Sequence, residues 1–188
     1  DAAARTRFVS QVVAAVREEV EGRVAVGIRI CGQEHREGGY DLLGMREMIT
    51  LIAESVNLDF VSVDVGHSWG APYVQPSYYD HAQYREVGRA IRADVAPVPV
   101  LFSGRINDAI IAEDLLSKGM CDLVGMTRAG IADPEFANKA RTGRFGAIRR
   151  CIGCNRCIAE SIDTTTPAMF HRPVCSVNPS VGHELEWE

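Results

Sequence analysis

The sequence predicts an α/β fold, because four short apolar segments each precede a segment with helical character. The first apolar segment, 24–30, is rich in β-branched residues and lacks polar alternation, as expected of a buried parallel strand. Two architectures fit this alternation: a free-standing doubly wound domain and half of a (β/α)8 TIM barrel. No G-x-G-x-x-G follows any strand, which weakens the dinucleotide-binding version. The strands are expected at 24–30, 60–66, 98–104 and 121–127.

The expected helices lie before and between these strands. Residues 6–20 and 41–56 show helical apolar periodicity. Their apolar faces are Phe8, Val12, Ala15, Val16 and Val20 in the first helix, and Leu42, Met45, Met48, Ile49 and Ile52 in the second. Further helices are expected at 80–94, at 107–118 with Asn107 as N-cap, and from Asp133-Pro134 to Gly143.

Composition restricts the functional classes. The 188 residues are 46% hydrophobic, which indicates a globular chain. The net charge of −5 and the lack of a basic patch argue against a nucleic-acid partner. No apolar run reaches the length of a membrane span, and the first residues lack the apolar core of a signal peptide. We therefore expect a cytoplasmic protein, in which thiols stay reduced and can ligate metal.

Four cysteines form the densest chemical motif. Cys151, Cys154 and Cys157 are spaced as C-x-x-C-x-x-C, and Cys175 follows at a distance. Three ligands from one tight loop and a fourth from elsewhere suit a [4Fe–4S] cluster. A zinc site, to which the nearby His171 could contribute, is the second interpretation, and disulfides are the third.

Glycines and arginines follow the predicted strands. Ligands in parallel α/β folds bind at the carboxyl ends of the strands. Glycines there let backbone N–H groups approach an anion, and arginines can neutralise it. The alternative is that the arginines pair with Asp108, Asp122 or Asp133 on the rim. The residues at these strand ends are Arg29, Gly104, Arg105, Gly125, Thr127 and Arg128.

Three segments together resemble one enzyme family. They are Ser-Gly-Arg-Ile-Asn-Asp at 103–108, Asp-Leu-Val-Gly-Met-Thr-Arg-Ala-Gly-Ile-Ala-Asp-Pro at 122–134, and the cysteine run. They are similar to the iron–sulfur branch of the NADH:flavin oxidoreductase (old yellow enzyme) family. The resemblance implies the C-terminal half of an FMN-binding TIM barrel at 1–147 and a cluster-binding segment at 148–188. It also implies that four earlier strands and any C-terminal nucleotide-binding region, for NAD(P)H or FAD/ADP, lie outside this sequence.

The resemblance also implies residue roles. Arg29 resembles the arginine beside the flavin pyrimidine edge, and Gly104, Arg105, Gly125, Thr127 and Arg128 resemble the FMN phosphate site. Cys151, Cys154, Cys157 and Cys175 resemble the cluster ligands. The family's main proton-transfer residues belong mostly to the part of the barrel not present here, so the catalytic acid or base is unknown.

Two features lean towards the amine dehydrogenases of the family. They are the two-residue gap between Cys154 and Cys157, and Trp69, which is a candidate to bind a cationic amine on its ring face. The alternative role for Trp69 is packing on the barrel rim. Pro72 and Ser161 stand where trimethylamine dehydrogenase has an acidic residue and a second tryptophan, so other N-methylated amines are the better expectation.

The resulting expectation is an FMN- and [4Fe–4S]-dependent oxidoreductase that demethylates or dehydrogenates an N-methylated amine. The first alternative is NAD(P)H-dependent reduction of an activated alkene, either an enoate or a dienoyl-CoA. A zinc-stabilised α/β binding module is the non-enzyme alternative. Partners would be a small-molecule substrate, an electron-transfer partner or NAD(P)H, and further copies of the full-length chain.

Overall fold

A computed structural model describes residues 1–66, 74–161 and 173–187 of the chain. Helices and strands alternate along it. The strands are β1 (Gly27–Cys31), β2 (Phe60–Asp64), β3 (Val100–Ser103) and β4 (Leu123–Gly125). The helices are α1 (Ala2–Val20), α2 (Leu42–Ser55), α3 (Arg85–Val95), α4 (Ala109–Ser117), α5 (Thr127–Ala132), α6 (Phe136–Arg141) and α7 (Arg156–Ser161), with a 3₁₀ helix at Phe145–Ala147.

The four strands form one parallel sheet in the order β1-β2-β3-β4. Gly27 is in register with Phe60, Val61 with Val100, and Leu101 with Leu123. A doubly wound sheet reverses its strand order at a switch point, whereas a barrel adds each strand beside the previous one. The consecutive order therefore favours the barrel type over the doubly wound alternative, and the predicted α/β class is confirmed.

The core lies between the sheet and its covering helices. Val61, Val63 and Phe102 in the strands are fully buried, as are Ile49 in α2 and Ile91 in α3. These strand residues belong to the mostly apolar segments that predicted a sheet covered by helices. Within the described ranges, no helix is both long and apolar enough to cross a membrane.

The predicted apolar face of α1 is wrong for four of its five members. Phe8 is 76% exposed, and Val12, Ala15 and Val16 are also exposed. The buried positions are instead Thr6 and Val13, on the side that packs against α2. The helix carries apolar residues on two sides, and only the side facing α2 is covered in the described structure.

Four predicted boundaries also differ. Asp108, not Asn107, caps α4, because its Oδ1 accepts a hydrogen bond of 2.8 Å from the N–H of Ile110. The fourth strand ends at Gly125, since the unpredicted short helix α5 begins at Thr127. The helix expected from Asp133-Pro134 begins at Phe136 as α6, and the helix expected from residue 80 begins at Arg85 as α3.

Candidate functional site

A cavity of about 250 Å³ opens at the carboxyl ends of β1, β3 and β4. Its position agrees with the rule that parallel α/β folds bind ligands at this edge of the sheet. All of the strand-end residues singled out in the sequence line it, namely Arg29, Gly104, Arg105, Gly125, Thr127 and Arg128. The structure thus brings together residues that are up to 99 positions apart in the chain, Arg29 and Arg128 being the most distant.

Arg105 and Arg128 supply the positive charge of the cavity. Nη1 of Arg128 donates to the carbonyl oxygen of Gln75 at 2.7 Å and also to Oδ1 of Asn155. Nη1 of Arg105 donates to the carbonyl oxygen of Tyr79, while its buried Nε has no hydrogen-bond partner among the described residues. Both guanidinium groups are therefore held by neutral oxygen atoms.

The rim carboxylates do not pair with these two arginines, so the ion-pair alternative is wrong. Each of the three candidate carboxylates has another cationic partner. The pairs are Asp108 with Arg150 at 2.9 Å, Asp122 with Arg92 at 2.8 Å, and Asp133 with Lys139 at 2.7 Å. Burial lowers the pKa of the Arg128 guanidinium, because removal from water disfavours its charged form. An anion in the cavity would stabilise that charge.

Arg29 lies at the same cavity but makes a different contact. Its guanidinium pairs with Asp64 at the end of β2, with Nε 3.0 Å from Oδ2. The Arg29 side chain is 62% exposed, whereas that of Asp64 is 18% exposed. Arg29 is thus a fixed but solvent-accessible cation on the cavity wall.

The two cavity glycines differ in what their neighbours allow. A Cβ atom on Gly125 would lie 2.1 Å from Oγ of Ser103 and 2.7 Å from Cδ2 of Leu101, so β4 packs on β3 only without a side chain there. A Cβ on Gly104 would meet Phe102 at an ordinary 3.4 Å. Protein packing therefore accounts for Gly125, whereas Gly104 is not required by packing and is free to serve a ligand.

The four cysteines of the motif surround a second, much smaller space of about 10 Å³. All four are free thiols, which contradicts the disulfide interpretation. Left-handed backbone at Gly153 (φ 70°) and Asn155 (φ 58°) turns the loop tightly enough for the three nearby thiols to share this space. Cys175 joins them from the segment after residue 173.

The thiols experience different surroundings. Sγ of Cys154 lies 3.4 Å from Oγ of Ser176, and this hydrogen bond lowers the pKa of the Cys154 thiol. Burial raises the pKa of the Cys157 thiol, and the nearby Cys151 and Cys175 raise it further. Such mutual effects arise because the thiols line the same small space.

Four thiols are suitable ligands for a metal centre, although the space between them is small. A space of this size holds about one water molecule. In the part of the chain that the structure describes, no three His, Cys, Asp or Glu side chains form a group that could hold a metal ion as they stand. Four free thiols beside the Arg128 cation nevertheless offer the chemistry that iron–sulfur and zinc centres use.

Two asparagines escaped the sequence analysis as site residues. The side-chain amide of Asn107 donates to the carbonyl oxygen of Cys151, and Nδ2 of Asn155 donates to the carbonyl oxygen of Val74 at 2.9 Å. Both bonds attach the cysteine loop to loops that follow the strands. The available sequence clue is position: one follows the Ser-Gly-Arg-Ile segment, and the other lies inside the cysteine run.

Two predicted candidates lie outside the described residues, and the remaining thiols and a loop histidine have ordinary surroundings. Trp69, the predicted substrate contact, and His171, the possible zinc ligand, belong to the segments that the structure does not describe. Cys121 is buried, and burial raises the pKa of its thiol as well as that of Cys31. His35 packs on the ring of Tyr84, with 5.1 Å between the ring centroids.

Comparison with known proteins identifies the family. The model of the NADH:flavin oxidoreductase / NADH oxidase family matches residues 1–146. A metal reductase of Desulforamulus reducens is 32% identical over 99% of this chain and 27% of its own length. An N,N-dimethylglycine/sarcosine dehydrogenase of Chromohalobacter salexigens is 35% identical over 82% of this chain and 23% of its own length. Names of both amine dehydrogenases and alkene or enoate reductases occur among the matching relatives.

A solved structure supports the fold independently. A 2-naphthoyl-CoA reductase in complex with 2-naphthoyl-CoA superimposes with a TM-score of 0.87 and 24% identity, over 97% of this chain and 27% of the other. The chain thus spans about a quarter of the length of the relatives it matches. With the consecutive parallel sheet, this likeness confirms part of a TIM barrel. The chain belongs to the NADH:flavin oxidoreductase / NADH oxidase family.

Proposed function

We propose that this chain forms the FMN phosphate side of a flavin-dependent oxidoreductase, with residues 1–147 as the half barrel and residues 148–188 as a [4Fe–4S]-binding segment. The observation that carries the proposal is the pair Arg105 and Arg128. Both line the cavity at the strand ends, and neither forms an ion pair among the described residues, whereas the carboxylates near them are already paired.

Each cavity residue has a role in holding FMN. Arg105 and Arg128 would bind the phosphate, beside the backbone of Gly104 and Gly125. Arg29, fixed by Asp64, would stabilise negative charge at the pyrimidine edge of the flavin. Bound FMN would supply hydride transfer, which none of the side chains that line the cavity can perform by itself.

The cysteine segment would hold the second cofactor through Cys151, Cys154, Cys157 and Cys175. A [4Fe–4S] cluster supplies one-electron transfer, and a flavin can exchange either one or two electrons. Placing the thiols beside the flavin cavity suits an enzyme that passes electrons singly to a carrier. Family membership argues against the zinc-stabilised binding module as the function of the chain.

The proposed substrate is an N-methylated amine, which would undergo oxidative demethylation or dehydrogenation. The relative named N,N-dimethylglycine/sarcosine dehydrogenase and the spacing of Cys154 and Cys157 support this choice. Trp69 would contact the amine. The alternative is reduction of an activated alkene by NAD(P)H, which the relative named cinnamate reductase supports. In both cases we propose a cytoplasmic homo-oligomer that exchanges electrons with an electron-transfer partner or with NAD(P)H. A further C-terminal region would bind FAD or ADP.

The phosphate role can be tested by comparing FMN with riboflavin, which lacks the phosphate. Replacing Arg128 or Arg105 by Gln removes a charge-assisted hydrogen bond worth about 1.5–3 kcal/mol, so the Kd for FMN should rise about 10- to 100-fold. The Kd for riboflavin should not change. Arg89→Gln is the matched control, because Arg89 is exposed and pairs with Glu86 at 2.7 Å on α3.

Three results would contradict the proposal. If the purified chain binds no FMN, or if both flavins weaken equally in the Arg128 variant, the cavity is not a flavin phosphate site. If anaerobic analysis finds zinc without iron and sulfide, the cluster assignment fails; about four irons and four sulfides per chain would support it. Oxidation of N-methylated amino acids against reduction of enoates, measured on the full-length enzyme, decides the substrate class.

A further inference from the structure

The flavin cavity and the thiol space share one wall. Arg128, Ile131 and Cys151 line both of them. Gly153, in the middle of the cysteine run, packs closely on the neighbouring loop, because a Cβ there would lie 3.1 Å from the backbone N of Ser77 and 3.5 Å from Nε of Arg105. The cysteine loop therefore lies beside both arginines of the cavity.

Asn155 is the residue that ties the loop to Arg128. Its backbone adopts the left-handed conformation, with φ 58°, between Cys154 and Cys157. Its side chain bridges two groups outside the loop: Oδ1 accepts from Nη1 of Arg128, and Nδ2 donates to the carbonyl oxygen of Val74 at 2.9 Å. Because Asn155 lies between two of the thiols, ligating them would fix its position.

Arg128 uses one of its three nitrogen atoms in hydrogen bonds to described residues. Its hydrogen bonds to Gln75 and Asn155 both come from Nη1. Among the described residues, Nε and Nη2 make no hydrogen bond, so these donors are available to an anion in the cavity. The contact with Asn155 and the contact with an anion therefore use different N–H groups and do not compete.

The contact with Asn155 and the contact with an anion both restrict the conformation of the Arg128 side chain. A free arginine side chain samples many rotamers, and binding an anion requires that one be selected. Asn155 selects it in advance, provided that the cysteine loop is itself held in place. By thermodynamic reciprocity, an anion that holds Arg128 also favours the loop conformation that presents the thiols.

We propose that Asn155 and Arg128 couple the two cofactor sites, so that metal ligation by the cysteine loop raises the affinity of the cavity for a phosphate-bearing flavin, and the reverse. The inference rests on the proposed function and adds a positioning role for Asn155, which contacts neither the phosphate nor the metal. Coupling between protein sites is commonly about 5- to 150-fold, and we expect about tenfold here.

The test uses the whole chain in a cluster-loaded form and in a chelator-stripped form, titrated with FMN and with riboflavin by flavin fluorescence. FMN should bind about tenfold more tightly to the loaded form. Riboflavin should bind both forms equally. Asn155→Gly keeps the left-handed backbone accessible while removing both side-chain bonds, and should bring the FMN ratio close to one.

Two further variants complete the design. Asn138→Ala is the matched control and should retain the tenfold ratio, because the exposed Asn138 of α6 donates from its side chain to Glu135 at 3.1 Å, away from the cysteine loop. Arg128→Lys keeps the charge but replaces three guanidinium nitrogens by one ammonium nitrogen, so it cannot bond Asn155 and an anion through separate nitrogen atoms. It should also lose the coupling, and it provides the test if Asn155→Gly does not take up iron.

The outcomes separate this inference from the function beneath it. Equal FMN affinity in the two forms of the unmodified chain overturns the coupling while leaving the flavin site intact. An equal gain in affinity for riboflavin, which lacks the phosphate, overturns the role of Arg128. The coupling would then act through the cavity wall at Cys151 and Gly153. Absence of FMN binding in both forms overturns the proposed function, and the inference with it.

Discussion

The side-chain amide of Asn107 donates a hydrogen bond to the carbonyl oxygen of Cys151, which lies 44 residues further along the chain. This bond joins the loop after β3 to the first cysteine of the motif. Asn107 and Cys151 also line the same cavity wall. A single side chain thus links the loop that we propose to bind the phosphate to the segment that would hold the cluster.

Replacing Asn107 by Ala should loosen this segment. A neutral hydrogen bond of this kind contributes about 1 kcal/mol to the free energy of unfolding, so we expect a loss of that size in urea unfolding. Iron retained after reconstitution and gel filtration should also fall, because Cys151 would no longer be positioned by the loop after β3.

Asn57→Ala is the control for this substitution. Asn57 is exposed, and the hydrogen bond in which it takes part uses its backbone oxygen, which accepts from Arg17 at 2.9 Å. Its replacement should leave both stability and iron content unchanged. If Asn107→Ala retained full iron content, the bond to Cys151 would be incidental to the cysteine segment.

The two glycine replacements Gly125→Ala and Gly130→Ala should change stability in opposite directions. At residue 125 the new methyl group would overlap Ser103 and Leu101, so β4 must shift or those side chains must rotate, at a cost of about 1–2 kcal/mol. At residue 130, inside α5, nothing lies within 4 Å of the new Cβ. There Ala should stabilise the helix by about 0.5–1 kcal/mol.

Urea denaturation midpoints of the two variants provide the measurement. Equal midpoints would mean that the close packing of β4 on β3 does not limit residue 125. In that case the glycine would have to be explained by its position on the cavity wall alone.

The sheet could be predicted from the sequence because each buried strand is a short segment rich in apolar residues. Residues 60–64 and 100–103 are mostly apolar, and Val61, Val63 and Phe102 are indeed fully buried. The inward face of α1 could not be identified in the same way. Both Val12 and Val13 fall on plausible apolar faces, and only the position of α2 determines that Val13 is the buried one.

The candidate site likewise contains residues that could be predicted from the sequence and residues that could not. Arg105 and Arg128 could be identified because strand ends converge at one edge of any parallel sheet. The roles of Asn107 and Asn155 could not, since each depends on a carbonyl group from a distant loop. The pairing of Asp108 with Arg150 likewise requires knowledge of where the cysteine segment returns.

Arg29→Gln should change the redox potential of bound FMN more than it changes the stability of the fold. Arg29 is 62% exposed and pairs with Asp64, and such surface pairs contribute about 0–1 kcal/mol to stability. Loss of a cation beside the pyrimidine edge should lower the two-electron potential of bound FMN by about 30 mV, equal to about 1.4 kcal/mol. A redox titration of the reconstituted chain measures this, with Arg89→Gln as the control, and an unchanged potential would remove Arg29 from the flavin site.

Asp133 should be the carboxylate whose loss most affects stability at the base of the cysteine segment. Its side chain is 2% exposed and lies 2.7 Å from Nζ of Lys139. It also accepts hydrogen bonds from the backbone N–H groups of Glu135 at 3.1 Å and Arg149 at 2.8 Å. Asp133→Asn should reduce the free energy of unfolding by about 2 kcal/mol, since hydrogen bonds to a charged group are lost.

The same carboxylate gives this effect a pH dependence of known sign. Burial raises the pKa of Asp133, but Lys139 and the two N–H groups outweigh it, so the pKa is lower in the folded protein. Its stabilising effect is therefore fully present above the ordinary aspartate value of about 3.9 and is lost as the pH falls through the folded-state pKa. The stability difference between the unmodified chain and Asp133→Asn should shrink at low pH.

Urea unfolding at pH 7 and at pH 3 measures this difference, with Asp114→Asn as the control. Asp114 pairs with Lys118 at 2.7 Å, but both side chains are more than half exposed. Its replacement should change stability by less than about 0.5 kcal/mol at either pH. A difference for Asp133→Asn that stayed constant from pH 7 to pH 3 would show that the effect comes from packing of the side chain and not from its charge.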